Sequence, residues 1–246
     1  FEVFAGIDYK KILRYVEKKF DIIIWDGGNN DLPFFKPNLH IVVADPFRVG
    51  DELNYYHAYL NCKLANILVI NKVNTAKKEN VEKLKSNLKS LNNKAKIILA
   101  ASEIFVDEKD RNLIKGKKVL VVEDGPTVTH GNLPYSIGYI AAKKYKAKEI
   151  VDARKYAKGS IKKILEKYSH IQKVLPTLGY GKTQIKELEK TINYINADSI
   201  VLGTPTNITK FMKINKPVAK VKYELNDLSG KLRIEVLNFF KGNRII

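Results

Sequence analysis

The chain has 246 residues, 45% of them hydrophobic, enough to bury a sizeable core and build two small α/β domains. Its net charge of +18 admits nucleic acid, an acidic surface or polyanionic small substrates as partners, yet the lysines are spread along the whole length beside acids, the pattern of solvated helix faces. One cysteine excludes an internal disulfide framework and fits a reducing cytoplasm, and no apolar run approaches the ~20 residues of a membrane span.

The chain begins at Phe1, in the approach to a helix, and no signal peptide is read there; this points to a segment of a longer protein or a processed chain. Residues 8–19 carry Ile12, Leu13, Tyr15 and Val16 among lysines and predict an amphipathic helix. The continuous apolar run 22–25 predicts a strand buried on both faces, ending at Asp26. A second apolar run, 39–44, ends at Asp45. A helix is expected over 50–62 and a strand over 67–70. Residues 76–91 place Val81, Leu84, Leu88 and Leu91 at helical spacing, and 97–100 read as a fourth strand. Such alternation predicts a parallel sheet with right-handed crossovers. Residues 107–118 are the best linker candidate. Beyond them strands are expected at 119–122, 150–152, 199–202 and 217–224, with helices near 136–145, 160–168, 182–195 and 232–240.

In open parallel sheets, chemistry sits beyond the carboxyl ends of the strands, so the strand-end loops carry the candidate sites. Asp26 is placed to hold Mg²⁺ beside a nucleotide phosphate, and Gly27 and Gly28 let the backbone approach a ligand. A strand-end Asp capping the next turn is the plain alternative. Asn71-Lys72-Val73-Asn74 lies where GTPases read guanine, but Asn74 cannot supply the required carboxylate; contact with a purine still stands slightly ahead of a polar turn. Asp45-Pro46-Phe47-Arg48 can aim a planar guanidinium at a phosphate, though an ordinary surface arginine explains it about as well. Gly181-Lys182-Thr183 lacks the first glycine of a phosphate loop, Pro176 standing in its place, and reads as a turn and helix start. Residues 123–131 combine Glu123, Asp124, Thr127, Thr129, His130 and Gly131 in one strand-to-helix loop, able to hold a metal, bond phosphate oxygens and carry a proton. The loop with Thr204 and Thr206 is a further anion candidate, which helix capping explains equally well.

Taken together, WDGGNNDLPFFKPNLHIVVADPFR (25–48), VINKVNTA (69–76), VVEDGPTVTHGNLPY (121–135), LPTLGYG (175–181) and VLGTPTNI (201–208) resemble the cyclic 2,3-diphosphoglycerate synthetases, archaeal enzymes of P-loop ancestry. The resemblance covers almost the whole chain and corresponds to the carboxyl-terminal half of that family, whose P-loop lies upstream. It implies ATP-driven closure of an intramolecular phosphoanhydride in 2,3-diphosphoglycerate, releasing ADP and phosphate, with Mg²⁺ and stimulation by K⁺. On that footing Asp26 holds the metal, Asn29, Asn30 and Asp31 position phosphates or water, and Asn71 and Lys72 contact adenine. Arg48, Glu123, Asp124, Thr127, Thr129, Gly131, Thr204 and Thr206 face the diphosphoglycerate, with His130 as proton carrier.

The expectation is therefore an α/β protein. Residues 1–106 would form a parallel-sheet, P-loop NTPase-like unit lacking its P-loop strand, and 119–246 a second, Rossmann-like α/β unit. The expected assembly is a cytoplasmic homodimer with a small-molecule substrate and neither nucleic acid nor membrane as partner. A regulatory ATPase or GTPase switch is the alternative, and a nucleic-acid-binding module a third reading that scattered lysines without interleaved aromatics disfavour.

Overall fold

The computed structural model describes residues 1–28, 31–129, 133–177 and 181–243. The chain is α/β and divides into two compact units, one made of Phe1–Ser102 with Leu225–Ile246 and the other of Glu103–Glu224. No described helix is long and apolar enough to cross a membrane.

The first unit runs α1 (Tyr9–Val16), β1 (Ile41–Ala44), α2 (Asp51–Asn54), α3 (Tyr56–Leu64), β2 (Ile67–Ile70), α4 (Lys78–Leu91) and β3 (Lys96–Val106), the last crossing into the second unit. Asp8 caps α1 by accepting from the Lys11 amide. The strands are parallel, with Ile41 beside Ile67 and Ile67 beside Lys96, so β2 lies between β1 and β3. All four residues of β2 are buried. On one face Leu68 and Ile70 join Val42 and Ala44 beneath Cys62 of α3 and Val81, Leu84 and Leu88 of α4, the helical spacing read from sequence. On the other face Ile67 and Val69 pack with Ile98, Ala100, Leu39 and Leu232.

The second unit runs β4 (Lys118–Glu123), α5 (Gly125–Thr129), α6 (Ile137–Lys144), β5 (Glu149–Ile150), α7 (Gly159–Lys167), β6 (Leu175–Pro176), α8 (Lys182–Tyr194), β7 (Ser199–Gly203) and β8 (Val218–Asp227), and α9 (Lys231–Gly242) closes the chain. Its strands are again parallel, in the order β8, β7, β4, with β5 along the start of β4 and β6 along its end. Val119–Val122 have no exposed surface and sit at the centre of the core, under Ala141 and Ala142 of α6 and beside Ile200 and Val201.

Three sequence expectations need correction. Residues 22–25 form no strand: a continuous apolar run is stable as a strand only between paired neighbours, and among the described residues none pairs with it. Ile22, Ile23 and Ile24 are exposed, while Trp25 meets Tyr9 edge-on at 4.8 Å between ring centroids. Residues 107–118 are no linker. They form a 3-10 helix, Glu108–Leu113, followed by the fully buried Ile114, and Arg111 Nε donates to the Val106 carbonyl at 3.2 Å. Finally, residues 225–246 do not share a unit with 119–224, because Leu232 of α9 packs against the β2–β3 face of the first unit and Glu235 pairs with Lys96.

Leu120 is at the centre of the second unit with no exposed surface. Leu120→Ala is expected to cost about 2–5 kcal/mol of unfolding free energy by leaving a cavity in a close-packed interior, measurable by denaturant titration.

Candidate active site

The predicted strand-end residues gather in two places, one in each unit. In the first, the ends of β1 and β2 bring Asp45 and Lys72 together. Asp45 Oδ1 accepts from the Phe47 amide at 3.0 Å, and its Oδ2 accepts from Lys72 Nζ at 2.6 Å. Lys72 holds a left-handed backbone, φ 59°, in which its amide bonds the Asn71 side chain at 2.8 Å. Lysine carries no special aptitude for that conformation, so the strain points to a turn fixed by its surroundings. The Lys72 ammonium is thus held by Asp45 rather than extended for a base.

Asn74 has a different task from the one its motif suggests. Its amide nitrogen donates to the Ser102 carbonyl at 3.2 Å and its oxygen accepts from the Ser102 amide at 3.1 Å, tying the β2 loop to β3. A carboxylate cannot make both bonds, which accounts physically for Asn where a guanine reader has Asp.

Arg48 is exposed and lines a cavity of about 390 Å³ alongside β1, together with Val43, Asp45, Asp51, Tyr55, Tyr56 and His57. The Tyr55-Tyr56-His57 run is not among the candidate residues named from sequence. Three successive ring-bearing residues after two acids were the signal that could have found it. Glu52 in the same wall is buried and spent: Gly50 N donates to one oxygen at 2.8 Å and Asn87 Nδ2 to the other at 2.7 Å. Burial and the Glu52 charge push the neighbouring Cys62 thiol up to about 11. It stays protonated and is no nucleophile.

Asp26 is exposed, beside Gly27, where a Cβ would lie 2.7 Å from the Trp25 indole nitrogen and would require that ring to shift. The Asp31 amide donates to the Gly28 carbonyl, and its carbonyl accepts from Asn61 Nδ2 at 2.8 Å, anchoring this loop to α3. Asn29, Asn30, His130 and Gly131, expected at the site from sequence, lie outside the described residues.

In the second unit the ends of β4 and β7 bring the remaining candidates together. Their polar groups largely cap one another. Asp124 Oδ2 accepts from the Thr127 hydroxyl at 2.9 Å, Thr129 donates to the Gly125 carbonyl at 2.8 Å, and the Thr206 amide donates to Thr204 Oγ1 at 3.3 Å. Gly125 N donates to Thr177 Oγ1, and a Cβ on Gly125 would lie 1.9 Å from the Thr177 carbonyl oxygen, so only glycine fits.

Glu123, expected on the substrate, is sealed inside instead. Its carboxylate sits at the N-terminus of α6, accepting from the amides of Ser136 at 3.1 Å and Tyr139 at 2.9 Å, while Oε2 finds no partner. Gly138 and Gly203 press against it: a Cβ on Gly203 would lie 2.4 Å from Oε2. Burial raises its pKa to about 7, with Asp124 adding to the rise and the amides of Tyr139, Gly138 and Ser136 opposing it.

No family model matches the chain. Similar proteins exist among curated relatives. Both described here are named as synthetases. The arginine synthetase ArcE of Thermococcus kodakarensis is 52% identical over 241 residues, 98% of this chain and 53% of that protein. The cyclic 2,3-diphosphoglycerate synthetase of Thermococcus sibiricus is 28% identical over 117 residues, 47% of this chain and 26% of that protein. The chain spans about half the length of the arginine synthetase it matches. The motif resemblance to cyclic 2,3-diphosphoglycerate synthetases is thus met in part. Likeness to the arginine synthetase is stronger and runs through both units.

Two outcomes are expected at these loops. Asn74→Asp should lower stability by about 1 kcal/mol, because it removes the donor to Ser102 and sets an anion against that carbonyl; urea denaturation reads this directly. Glu123 has a folded pKa of about 7 against an ordinary 4.5, so its stabilising contribution is complete below pH 4.5, fades from there to about 7 and is lost above. Glu123→Gln cannot ionise, so the stability drop between pH 5 and 8 should shrink by about 2–3 kcal/mol relative to wild type.

Proposed function

We propose that this chain is one part of a cytoplasmic, homodimeric ATP-dependent synthetase that phosphorylates a substrate oxygen and then displaces phosphate to form a new bond. The observation that carries this reading is the 52% identity over 241 residues with the arginine synthetase. For an arginine product the oxygen is that of a ureido carbonyl: it takes the ATP γ-phosphoryl group, ammonia attacks the carbon, and phosphate leaves with the oxygen. ATP, ammonia and a ureido amino acid then give ADP, phosphate and a guanidino amino acid.

The geometry supports a nucleotide near the ends of β1 and β2. Mg²⁺ in a nucleotide site needs only one or two carboxylates, because phosphates and water complete its shell. The exposed Asp26 suits that role, and no group of three or more His, Cys, Asp or Glu side chains suited to a metal occurs among the described residues. Arg48 and the Tyr55–His57 wall suit the polar and flat parts of a ligand. Lys72 reaches a phosphate once a competing anion draws it from Asp45, and K⁺ joins as a stimulatory ion. Asn71 fixes the loop after β2, and Asp124, Thr127, Thr204 and Thr206 fix the strand-end loops of the second unit.

Synthesis of cyclic 2,3-diphosphoglycerate is the second reading, favoured by the quoted motifs and the 28% identity over 117 residues. The two share phosphoryl transfer followed by displacement and differ in what is phosphorylated. The chain, alone and joined to the part of the Thermococcus kodakarensis enzyme outside the aligned residues, is to be incubated with ATP and Mg²⁺. One arm adds citrulline and ammonium, the other 2,3-diphosphoglycerate, and ³¹P spectra and amino-acid analysis are followed. Arginine formation stoichiometric with ADP is expected. ATP turnover that neither substrate changes would overturn the synthetase reading in favour of a regulatory ATPase.

Asp26→Asn is expected to abolish turnover in the joined protein while shifting stability by less than about 0.5 kcal/mol, since the side chain is exposed. Unchanged activity would remove Asp26 from the metal site.

A further inference from the structure

The lysines of this chain are spread beside acids, and one cluster in the second unit breaks that pattern. A cavity of about 450 Å³ opens at the amino ends of β4 and β5. Arg111 and Lys115, before β4, line it from one side, and Lys144, Tyr145 and Lys146, before β5, from the other. Against these four cations it holds one carboxylate, that of Glu108. That side chain is 92% exposed and stands 4.0 Å from Arg111 Nη1, beyond hydrogen-bond reach.

Main-chain groups fix the cluster in place. Lys144 Nζ donates to the Ile104 carbonyl at 2.6 Å and Arg111 Nε to the Val106 carbonyl at 3.2 Å, so both side chains are anchored on β3. Their charged ends flank the Tyr145 ring, each 5.7 Å from its centre, and the Tyr145 hydroxyl accepts from the Val106 amide at 3.2 Å. The Gly116 amide donates to the Lys146 carbonyl at 3.0 Å, clipping the two lining segments together. This anchoring leaves donors over. The Arg111 Nη atoms and the remaining N–H groups of Lys144 face no acceptor within hydrogen-bond reach among the described residues, and the Lys115 and Lys146 ammoniums have no partner there. The C-terminal dipole of α6 accounts for cations at Lys144 and Lys146. It does not account for Arg111 and Lys115, which arrive from a different segment.

The geometry points to a polyphosphate-binding site in this cavity, taking a chain of linked phosphates such as inorganic polyphosphate or a nucleoside triphosphate carries. Cations placed on both sides of one cavity match an extended anion better than a single phosphate, and the Arg111 fork suits phosphate oxygens. Nucleic acid fits less well. Single strands are held on open aromatic faces, whereas Tyr145 is flanked by two cations. The candidate loops lie at the carboxyl ends of β4 and β7, so the site stands apart from them and does not depend on the proposed synthesis.

The chain, alone and joined to the part of the Thermococcus kodakarensis enzyme outside the aligned residues, is to be acetylated with and without inorganic tripolyphosphate. Mass spectrometry should find modification of Lys115 and Lys146 slowed at least about fivefold at saturation, with Lys186 and Lys190 of α8 unchanged. By calorimetry on the chain, Lys115→Gln with Lys146→Gln should weaken tripolyphosphate binding at least about tenfold. The melting temperature should not move, because both side chains are exposed. Lys186→Gln with Lys190→Gln removes the same charge outside the cavity and should leave the affinity within about twofold. ATP tells the two sources apart: protection equal to that by tripolyphosphate identifies the phosphate chain alone and stronger protection a nucleotide, and either supports the site. Equal losses from the two pairs of substitutions would reduce binding to net charge and overturn the inference. So would protection in the chain that is absent from the joined polypeptide. A single-stranded RNA that protects these lysines at lower concentration than tripolyphosphate would reassign the cavity to nucleic acid.

Discussion

The first unit depends on β2 being satisfied on both edges and both faces. Its four residues are flanked by β1 and β3 and covered by α3 and α4 on one side and by Leu39 and Leu232 on the other. Leu232 comes from a helix more than 160 positions further along the chain, and the need to cover Ile67 and Val69 explains why α9 returns to this unit. The nearby loops inherit their positions from the same strand. Asn71 and Lys72 continue it directly, the Asn71 amide donates to the carbonyl of Ala44, and Asp45 is then within reach of the Lys72 ammonium.

The second unit solves a harder problem, a carboxylate inside the core. Burial alone would make an ionised Glu123 costly. The amides at the start of α6 offset part of that cost, and the small size of Gly138 and Gly203 lets helix and strand close around the group. The result is a fixed joint between β4, β7 and α6 at the place where their connecting loops begin. Asp124, one residue on, faces the loop instead and caps α5. Two adjacent acids therefore do different work, one holding the frame and the other shaping the loop.

Most elements were legible in the sequence because each carries its own signal. The heptad-like spacing of Val81, Leu84 and Leu88 marks α4, and the apolar run before Asn71 marks β2. The run at 22–25 carries an equally clear signal and forms no strand, since pairing is a property of two segments and periodicity describes only one. The return of α9 was illegible for the same reason. At the site, residue types placed the strand-end loops correctly, yet chemistry could not be divided from support. Glu123 and Asn74 look like ligand groups in sequence and serve as internal fasteners in three dimensions. Tyr55, Tyr56 and His57 were missed because aromatic residues on a short helix usually mean packing.

Cys62 has a consequence for how the molecule withstands its surroundings and how it can be studied. It is the sole sulfhydryl of the 246 residues, buried under α4 with its proton held to about pH 11. Thiolate is the form that oxidants, alkylating agents and mixed disulfides attack. In the folded state this thiol is therefore slow toward thiol chemistry, and a single cysteine leaves no intramolecular disulfide to form. A cysteine introduced at any exposed position would be the one reactive sulfur in solution, and a dye, spin label or photocrosslinker attached there would report on that position alone.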